Sequence, residues 1–396
     1  MRKKIVSFLT AGALSLTLAL NVSAVDLDFY EDDLGEKCTN KWGYNYFSGV
    51  DKADAKQELY DRLLDACYDL WEYDEDVPST LLGQDTSGND VYAYNFRTIE
   101  YSALDLSYGE AASVYFTVRH DNPIFYYLSN SFRSSGAAYS DGHVEYSLLF
   151  CVDEEYVKAA DRKKYQAEIE KYLGNKADEI SGLTRRYDIA KKYHDLLVEE
   201  AEYSYVTIDG KTYADTGSMA HNILGIILNG KGVCESYAKV FQLLLTYAGV
   251  DNVYVTGFGN GGGHAWNIVL MDNDKYYDFD VTFDDTGATN VYFAAGSDFF
   301  DRNHTPDTPE HVGKFFLYEI PEIPEEDYDP SDIVIHLTND INRDGKVNLK
   351  DLLSLIRYLN GWGNDIDLEA ADVYKDGKVN MKDMAKLQRL LNGFLN

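Results

Sequence analysis

Three side chains in this sequence could do chemistry together. Cys234, in Gly232-Val-Cys-Glu-Ser-Tyr-Ala238, offers a thiol, His264, in His264-Ala-Trp-Asn267, a base, and Asp280, in Asp280-Val-Thr282, a carboxylate. A sulfur nucleophile, a base to take its proton and a third group to orient that base are the parts of covalent catalysis at a carbonyl. Taken singly, each has a plainer role: a small core residue, a satisfied polar group, a local cap. Their order along the chain, each on its own predicted element, favours the triad. His264 then deprotonates Cys234 while Asp280 fixes the imidazole tautomer.

The elements that must position them are legible from periodicity. Tyr237, Ala238, Phe241, Leu244, Leu245 and Ala248 recur at helical spacing up to Gly249, which puts Cys234 in the first turn, where free N–H groups and the helix dipole favour a thiolate. Val253 to Gly257, Ala265 to Met271 and Lys275 to Phe283 read as strands, the last with Asp280 on the same side as Tyr276, Asp278 and Thr282. An antiparallel hairpin through Asp272-Asn273-Asp274 would bring Asp280 to His264. Gly257, Gly259 and Gly262 spell G-x-G-x-x-G, but a strand follows rather than a helix, so they read as a flexible loop that delivers His264, not a dinucleotide site.

With those residues in view, the runs Asn229-Gly-Lys-Gly-Val-Cys-Glu-Ser-Tyr-Ala-Lys-Val-Phe, His264-Ala-Trp-Asn-Ile-Val and Tyr277-Asp-Phe-Asp-Val-Thr-Phe-Asp-Asp resemble the bacterial transglutaminase-like core, over about residues 185–290. That superfamily, papain-like in arrangement, includes transglutaminases, cysteine proteases and peptide N-glycanases. The resemblance implies Cys234 as nucleophile, His264 as base and Asp280 as orienter, with no catalytic cofactor. It also suggests Tyr203 or Tyr205 as a hydroxyl near the oxyanion.

The rest of the chain sets the context. Residues 1–24 carry Arg2, Lys3 and Lys4, an apolar run and Val22-Ser23-Ala24, the pattern of a signal peptide, so an exported protein is expected. Without those three bases the formal charge goes from −31 to −34, which argues against nucleic acid and anionic membranes as partners, and no later run is apolar enough for membrane insertion. Cys38, Cys67 and Cys151 leave one bridge open or none, with no pair preferred. Residues 25–165 read as an accessory region packed on the core. It has helices over Ala53–Trp71 and Ala103–Arg119, an aromatic strand after Asp121-Asn-Pro-Ile-Phe125, and a strand over Val144–Val152. Asp-x-Pro-x-Phe stretches resemble those that precede such cores. Charged helices over Glu154–Leu173 and Leu183–Ala201 read as solvated faces, and His221 as structural. The catalytic core is placed at 166–317. Residues 318–337, with seven acids and no Lys or Arg, read as an extended, self-repelling linker.

Residues 338–396 contain an internal repeat. Asp340-Ile-Asn-Arg-Asp-Gly-Lys-Val-Asn-Leu-Lys-Asp351 recurs as Asp372-Val-Tyr-Lys-Asp-Gly-Lys-Val-Asn-Met-Lys-Asp383, and each copy runs into a helix. The spacing is that of a calcium loop, with oxygen ligands at positions 1, 3, 5, 9 and 12, a backbone carbonyl at 7 and glycine at 6. Loop one offers Asp340, Asn342, Asp344, Lys346 through its carbonyl, Asn348 and Asp351. Loop two offers Asp372, Asp376, Lys378 through its carbonyl, Asn380 and Asp383, and departs at Tyr374, where weaker binding is expected. Up to two Ca2+ ions are thus expected. Aspartate at position 12 and two loop-helix units make this segment similar to a type I dockerin, the plug that joins cellulosomal enzymes to a scaffold cohesin. The resemblance implies a cohesin surface of Leu349, Lys350, Arg357, Met381, Lys382 and Arg389, cell-surface attachment through the scaffold, and an association with polysaccharide breakdown.

The expected fold is α+β: a papain- and transglutaminase-like core, an N-terminal accessory region, an acidic linker and a small all-α dockerin. The expected function is thiol-dependent acyl transfer on protein or peptide amides. Hydrolysis and transamidation share the first half-reaction and stay open, as does a silent binding module. A glycoside hydrolase is prompted only by the company dockerins keep, since no carboxylate pair stands out.

Overall fold

The computed structural model describes residues 37–84, 87–141, 144–287, 290–312, 317–331, 339–343, 346–362, 366–374 and 378–391. The expected signal peptide, Asp344, Asp376 and linker residues 332–337 lie outside the described residues. Helices α1 (Trp42–Phe47) and α2 (Ala53–Trp71) precede strands β1 (Ser79–Gln84) and β2 (Asp90–Glu100). Helix α3 (Tyr108–Asp121) then leads to β3 (Ser134–Ala138) and β4 (Val144–Val152), which complete an antiparallel sheet in the order β1-β2-β4-β3. Helix α3 starts later than the expected Ala103 because Ser107 and Glu110 form a capping box there.

The stretch after α3 is not the expected aromatic strand. Residues 122–129 form buried turns with one bridge, Leu128 to Val152, because the Tyr126 and Tyr127 hydroxyls bond the carbonyls of Arg162 and Cys67. Asp121 explains the Asp-x-Pro-x-Phe pattern: its buried carboxyl accepts from the Gly43 and Tyr44 amides and the Tyr60 hydroxyl, tying α1 to α2 and α3.

Helices α4 (Ala159–Glu179) and α5 (Arg186–Glu200) follow. They are not merely solvated faces. Arg162 is buried and donates to the carbonyls of Tyr73, Glu75, Tyr156 and Val157, and buried Lys176 pairs with Glu200. A guanidinium can be buried where carbonyls satisfy its fork of donors.

The central part begins with β5 (Glu202–Tyr203), the hairpin β6 (Tyr205–Ile208) and β7 (Lys211–Ala214), α6 (Ile223–Asn229) and β8 (Lys231–Gly232). Helix α7 (Cys234–Tyr247) is buried nearly all round, with Val240, Phe241 and Leu243 to Leu245 fully inaccessible. It packs on an antiparallel sheet of order β11-β10-β9-β12, made of β9 (Asn252–Gly259), β10 (Gly262–Leu270), β11 (Tyr276–Phe279) and β12 (His304–Pro306), with α8 (Val281–Thr286) after β11. The N-terminal region meets this core through Gln242 of α7, whose amide donates to the His120 carbonyl.

Residues 318–331 of the expected linker instead pack on the core. The Tyr318 hydroxyl donates to the Tyr254 carbonyl at 2.7 Å, Asp327 accepts from Gly296 N–H at 2.8 Å, and Tyr328 lies against Tyr187 and Tyr277. The aromatic rings and isoleucines of this segment outweigh its acidic self-repulsion.

The C-terminal unit packs helices α9 (Leu349–Leu359) and α10 (Met381–Leu391) through Leu352, Leu355 and Leu387 with Ile341 and Val373. Each helix is capped by the asparagine at loop position 9, since Asn348 and Asn380 accept from the Lys350 and Lys382 amides, both at 2.9 Å. No described helix is long and apolar enough to cross a membrane. If residues 318–331 are part of the core, Tyr328→Ala should lower its stability by about 2–4 kcal/mol, read as a shift in urea midpoint. An unchanged midpoint would return the segment to a linker.

Candidate active site

Cys234 is the first residue of α7, preceded by Val233 in extended conformation with no side-chain cap. The turn is tight: a Cβ on Gly232 would lie 2.4 Å from that of Ser236, so only glycine fits. Cys234 is half-exposed, whereas the free thiols of Cys38, Cys67 and Cys151 are buried. Burial pushes the Cys67 and Cys151 thiols up, away from ionisation, and does the same to Cys38 despite Lys37.

His264 sits within β10, not at the end of a loop. Gly257, Gly259 and Gly262 are strand residues of the β9–β10 hairpin, a correction with a steric cause. A Cβ on Gly259 would come within 2.7 Å of the His264 ring, and one on Gly257 within 2.2 Å of the Thr305 carbonyl on β12. The ring lies beside Phe283, with centroids 4.6 Å apart. Its Nε2 is 2.7 Å from Asp280 Oδ2, while the ring also hydrogen-bonds the Cys234 thiol, which leaves Nδ1 as the nitrogen facing sulfur.

Asp280 is not in a strand. Strand β11 stops at Phe279, and Asp280 is the N-cap of α8, with Oδ1 accepting from Phe283 N–H at 3.0 Å. The period-two pattern through Val281 and Phe283 looked like strand continuation, but the capping aspartate ends it. The hairpin between β10 and β11 is antiparallel and brings the two side chains together.

A residue the sequence reading missed completes the arrangement: His304, whose Nε2 is 2.9 Å from the same Asp280 Oδ2. It lies alone in Arg302-Asn-His-Thr-Pro306, far from any motif, so no local signal could have found it. Burial alone would raise the Asp280 carboxyl, but hydrogen bonds from His264 and His304 hold it below the usual range. Burial would likewise lower His264, yet bonds to Asp280 and Cys234 push it up to about 9. The imidazolium is therefore the resting form at neutral pH. The ligand-capable atoms of His264, Asp280 and His304 lie within 4.8 Å of one another, and the 2.7 and 2.9 Å contacts are hydrogen bonds that share one carboxylate oxygen.

The Tyr203 hydroxyl accepts from the Cys234 backbone N–H, and burial pushes its phenol up to about 12. Tyr205, the other expected hydroxyl, is exposed, its ring 4.8 Å from that of Tyr203. Behind the thiol, Glu235 accepts from Lys239 at 2.6 Å and pairs with His221 Nδ1 at 2.8 Å. His221 Nε2 meets the Asp215 carbonyl, so both ring nitrogens must carry protons, and the Glu235 bond raises the group. Burial would raise Glu235, but Lys239, His221 and Arg119 hold it well below the carboxylate range. His221 is thus structural in a specific sense: it anchors the first turn of α7.

In the C-terminal unit Asp340, Asp351 and Asp383 are buried. Asp351 accepts from the Asn342 and Asn348 amides and Asp383 from those of Tyr374 and Asn380, so the last aspartate of each loop is held by equivalent amides. This all-oxygen donor set suits Ca2+. The Tyr374 side chain is exposed, with Lys382 and Lys386 over its ring, and offers no ligand. Leu349, Lys350, Arg357, Met381, Lys382 and Arg389 are all exposed.

Residues 174–281 match the transglutaminase-like superfamily, and residues 338–392 match the dockerin type I domain. The chain joins a transglutaminase-like core to a type I dockerin. Among solved structures, one described as a TGase is 16% identical, covering 38% of this chain and 44% of its own, with a TM-score of 0.24. A putative cysteine protease from Cytophaga hutchinsonii is 13% identical, covering 47% and 70%, with a TM-score of 0.25. The periplasmic domain of TgpA from Pseudomonas aeruginosa is 13% identical, covering 39% and 66%, with a TM-score of 0.24. The chain thus spans less than half the length of the first of these. No curated protein matches.

The imidazole of His264 should titrate near pH 9 in heteronuclear NMR, and Asp280→Asn should bring that titration down by about two units. A titration near the free-imidazole value, or one unmoved by the substitution, would contradict the assigned partners.

Proposed function

We propose that this protein is a thiol enzyme that transfers acyl groups from protein or peptide amides, held on a scaffold by its dockerin. The observation that carries the reading is a half-exposed cysteine at a helix N-terminus, hydrogen-bonded to a histidine whose far nitrogen donates to a buried aspartate. Cys234 is the nucleophile, His264 the proton carrier and Asp280 the orienter. With His264 protonated at rest, the sulfur attacks as a thiolate paired to the imidazolium. The carbonyl oxygen gains charge as the tetrahedral centre forms. We assign the Cys234 backbone N–H as the donor to that charge, and Tyr203 must release it for it to take part. Collapse expels the amine, which takes the proton from His264 Nδ1 and leaves a thioester. Water or a second amine, deprotonated by the now neutral His264, then resolves it.

A dockerin implies a cohesin partner and generally binds calcium. We assign up to two ions, held by Asp340, Asn342, Asn348 and Asp351 with Asp344 in loop one, and by Asp372, Asn380 and Asp383 with Asp376 in loop two. The carbonyls of Lys346 and Lys378 complete the sets. Bound calcium would neutralise the buried carboxylates and fix the loops that present Leu349, Lys350, Met381 and Lys382, with Arg357 and Arg389 about two turns further along the same helical face. Export through residues 1–24 and attachment outside the cell fit this assignment.

A peptide-amide screen with and without a tagged primary amine tests the reading. Turnover should fall about 10²–10⁴-fold in His264→Ala and vanish in Cys234→Ala. Amine incorporation would mark transamidation, and release without incorporation hydrolysis. No turnover and no acylated Cys234 on any peptide would leave a docked, silent module.

A further inference from the structure

The strand that carries His304 lies beyond the matched core segment and returns to the edge of the catalytic sheet. Strand β12 pairs with β9 so that His304 stands opposite Gly259, the residue whose missing Cβ makes room for the His264 ring. His304 is only 2% exposed, and its ring is fixed on every side. It stacks on Phe300 at 3.9 Å and 22°, and its centroid is 4.9 Å from that of Phe283, 5.2 Å from Trp266 and 5.6 Å from Tyr292. Its Nδ1 is 2.9 Å from Asn303 Oδ1, and the Asn303 amide donates to the Tyr292 hydroxyl at 2.8 Å.

An ionised carboxylate can only accept, so both imidazoles must present Nε2–H to Asp280 Oδ2. Two donors on one oxygen share its negative charge, and each bond is weaker than it would be alone. A packing role alone would require a ring at this position, not a nitrogen aimed at 2.9 Å.

We propose that His304 is a positioning residue of the thiol centre: it shares Asp280 with His264 and so limits how tightly the imidazolium keeps the proton owed to the leaving amine. This rests on the thiol-enzyme reading above. Several other groups face the pair. They are Cys234 from α7, Tyr203 from β5, Asp278 from β11, and Asp301 and Tyr292 from the segment between α8 and β12. Asp278, which accepts the Trp266 indole N–H, is raised by burial to about 8, and Asp301 is also raised by burial. Asp278 is therefore mainly uncharged at neutral pH, which leaves Asp280 as the dominant anion on both rings.

The test is the pH dependence of Cys234 alkylation by iodoacetamide in the full chain, followed by mass spectrometry for wild type, His304→Phe and His304→Gln. His304→Phe keeps the ring and removes the donor. Its alkaline inflection, where His264 loses its proton, should move up by about one unit. His304→Gln, which retains an N–H, should move it back toward wild type. Coincident wild-type and Phe profiles would overturn the proposal while leaving Cys234 activated. A wild-type Cys234 that labels no faster than Cys38, Cys67 and Cys151 would bring down the underlying reading and this inference with it. If His304→Phe does not fold, wild-type NMR decides: two protonated Nε2 resonances, one from each ring, are expected near neutral pH, and finding only one overturns the proposal.

Discussion

A carboxylate with 1% of its surface exposed must find donors for both oxygens, or it costs several kcal/mol to bury. Asp280 meets that requirement with one backbone amide and two imidazoles. Each donor constrains a different element. The Phe283 amide ends β11 and starts α8, His264 sets the register of β10, and His304 draws β12 back to the sheet edge. The site is therefore as rigid as the satisfaction of one buried charge requires.

The turn that carries the nucleophile is held by a second, half-buried network. Glu235 gathers Lys239, His221 and, at 3.8 Å, Arg119 under the first turn of α7. Arg119 belongs to α3, so the N-terminal region contributes charge to the base of the catalytic helix as well as packing. This explains how a strongly acidic chain places a cluster of cations beneath its thiol. It also gives the accessory region a part in positioning Cys234, through Arg119 and through the His120 carbonyl that receives Gln242.

What the sequence made legible was local. Helical spacing placed Cys234 at the start of α7, and strand patterns placed Ala265 and Tyr277 on neighbouring strands. The repeat disclosed both loops of the dockerin. The misses have a common cause in contacts between distant residues. The end of β11 depended on a cap at Asp280 that competes with strand periodicity. The glycines before His264 read as flexible because the rings and strand that crowd them come from elsewhere in the chain. Residues 318–331 carried the composition of a linker, yet Tyr318 and Tyr328 reach the core. His304 had no pattern at all, since its role arises only when β12 folds back beside β9.

The central claim is that Cys234 is activated by His264. Its most direct measurement is the rate of iodoacetamide labelling at pH 6, resolved by peptide mass spectrometry for all four cysteines, in wild type and His264→Ala. Rapid labelling of Cys234 alone, lost in His264→Ala, is the predicted result. Slow labelling of Cys234, unchanged by removal of His264, would contradict the account.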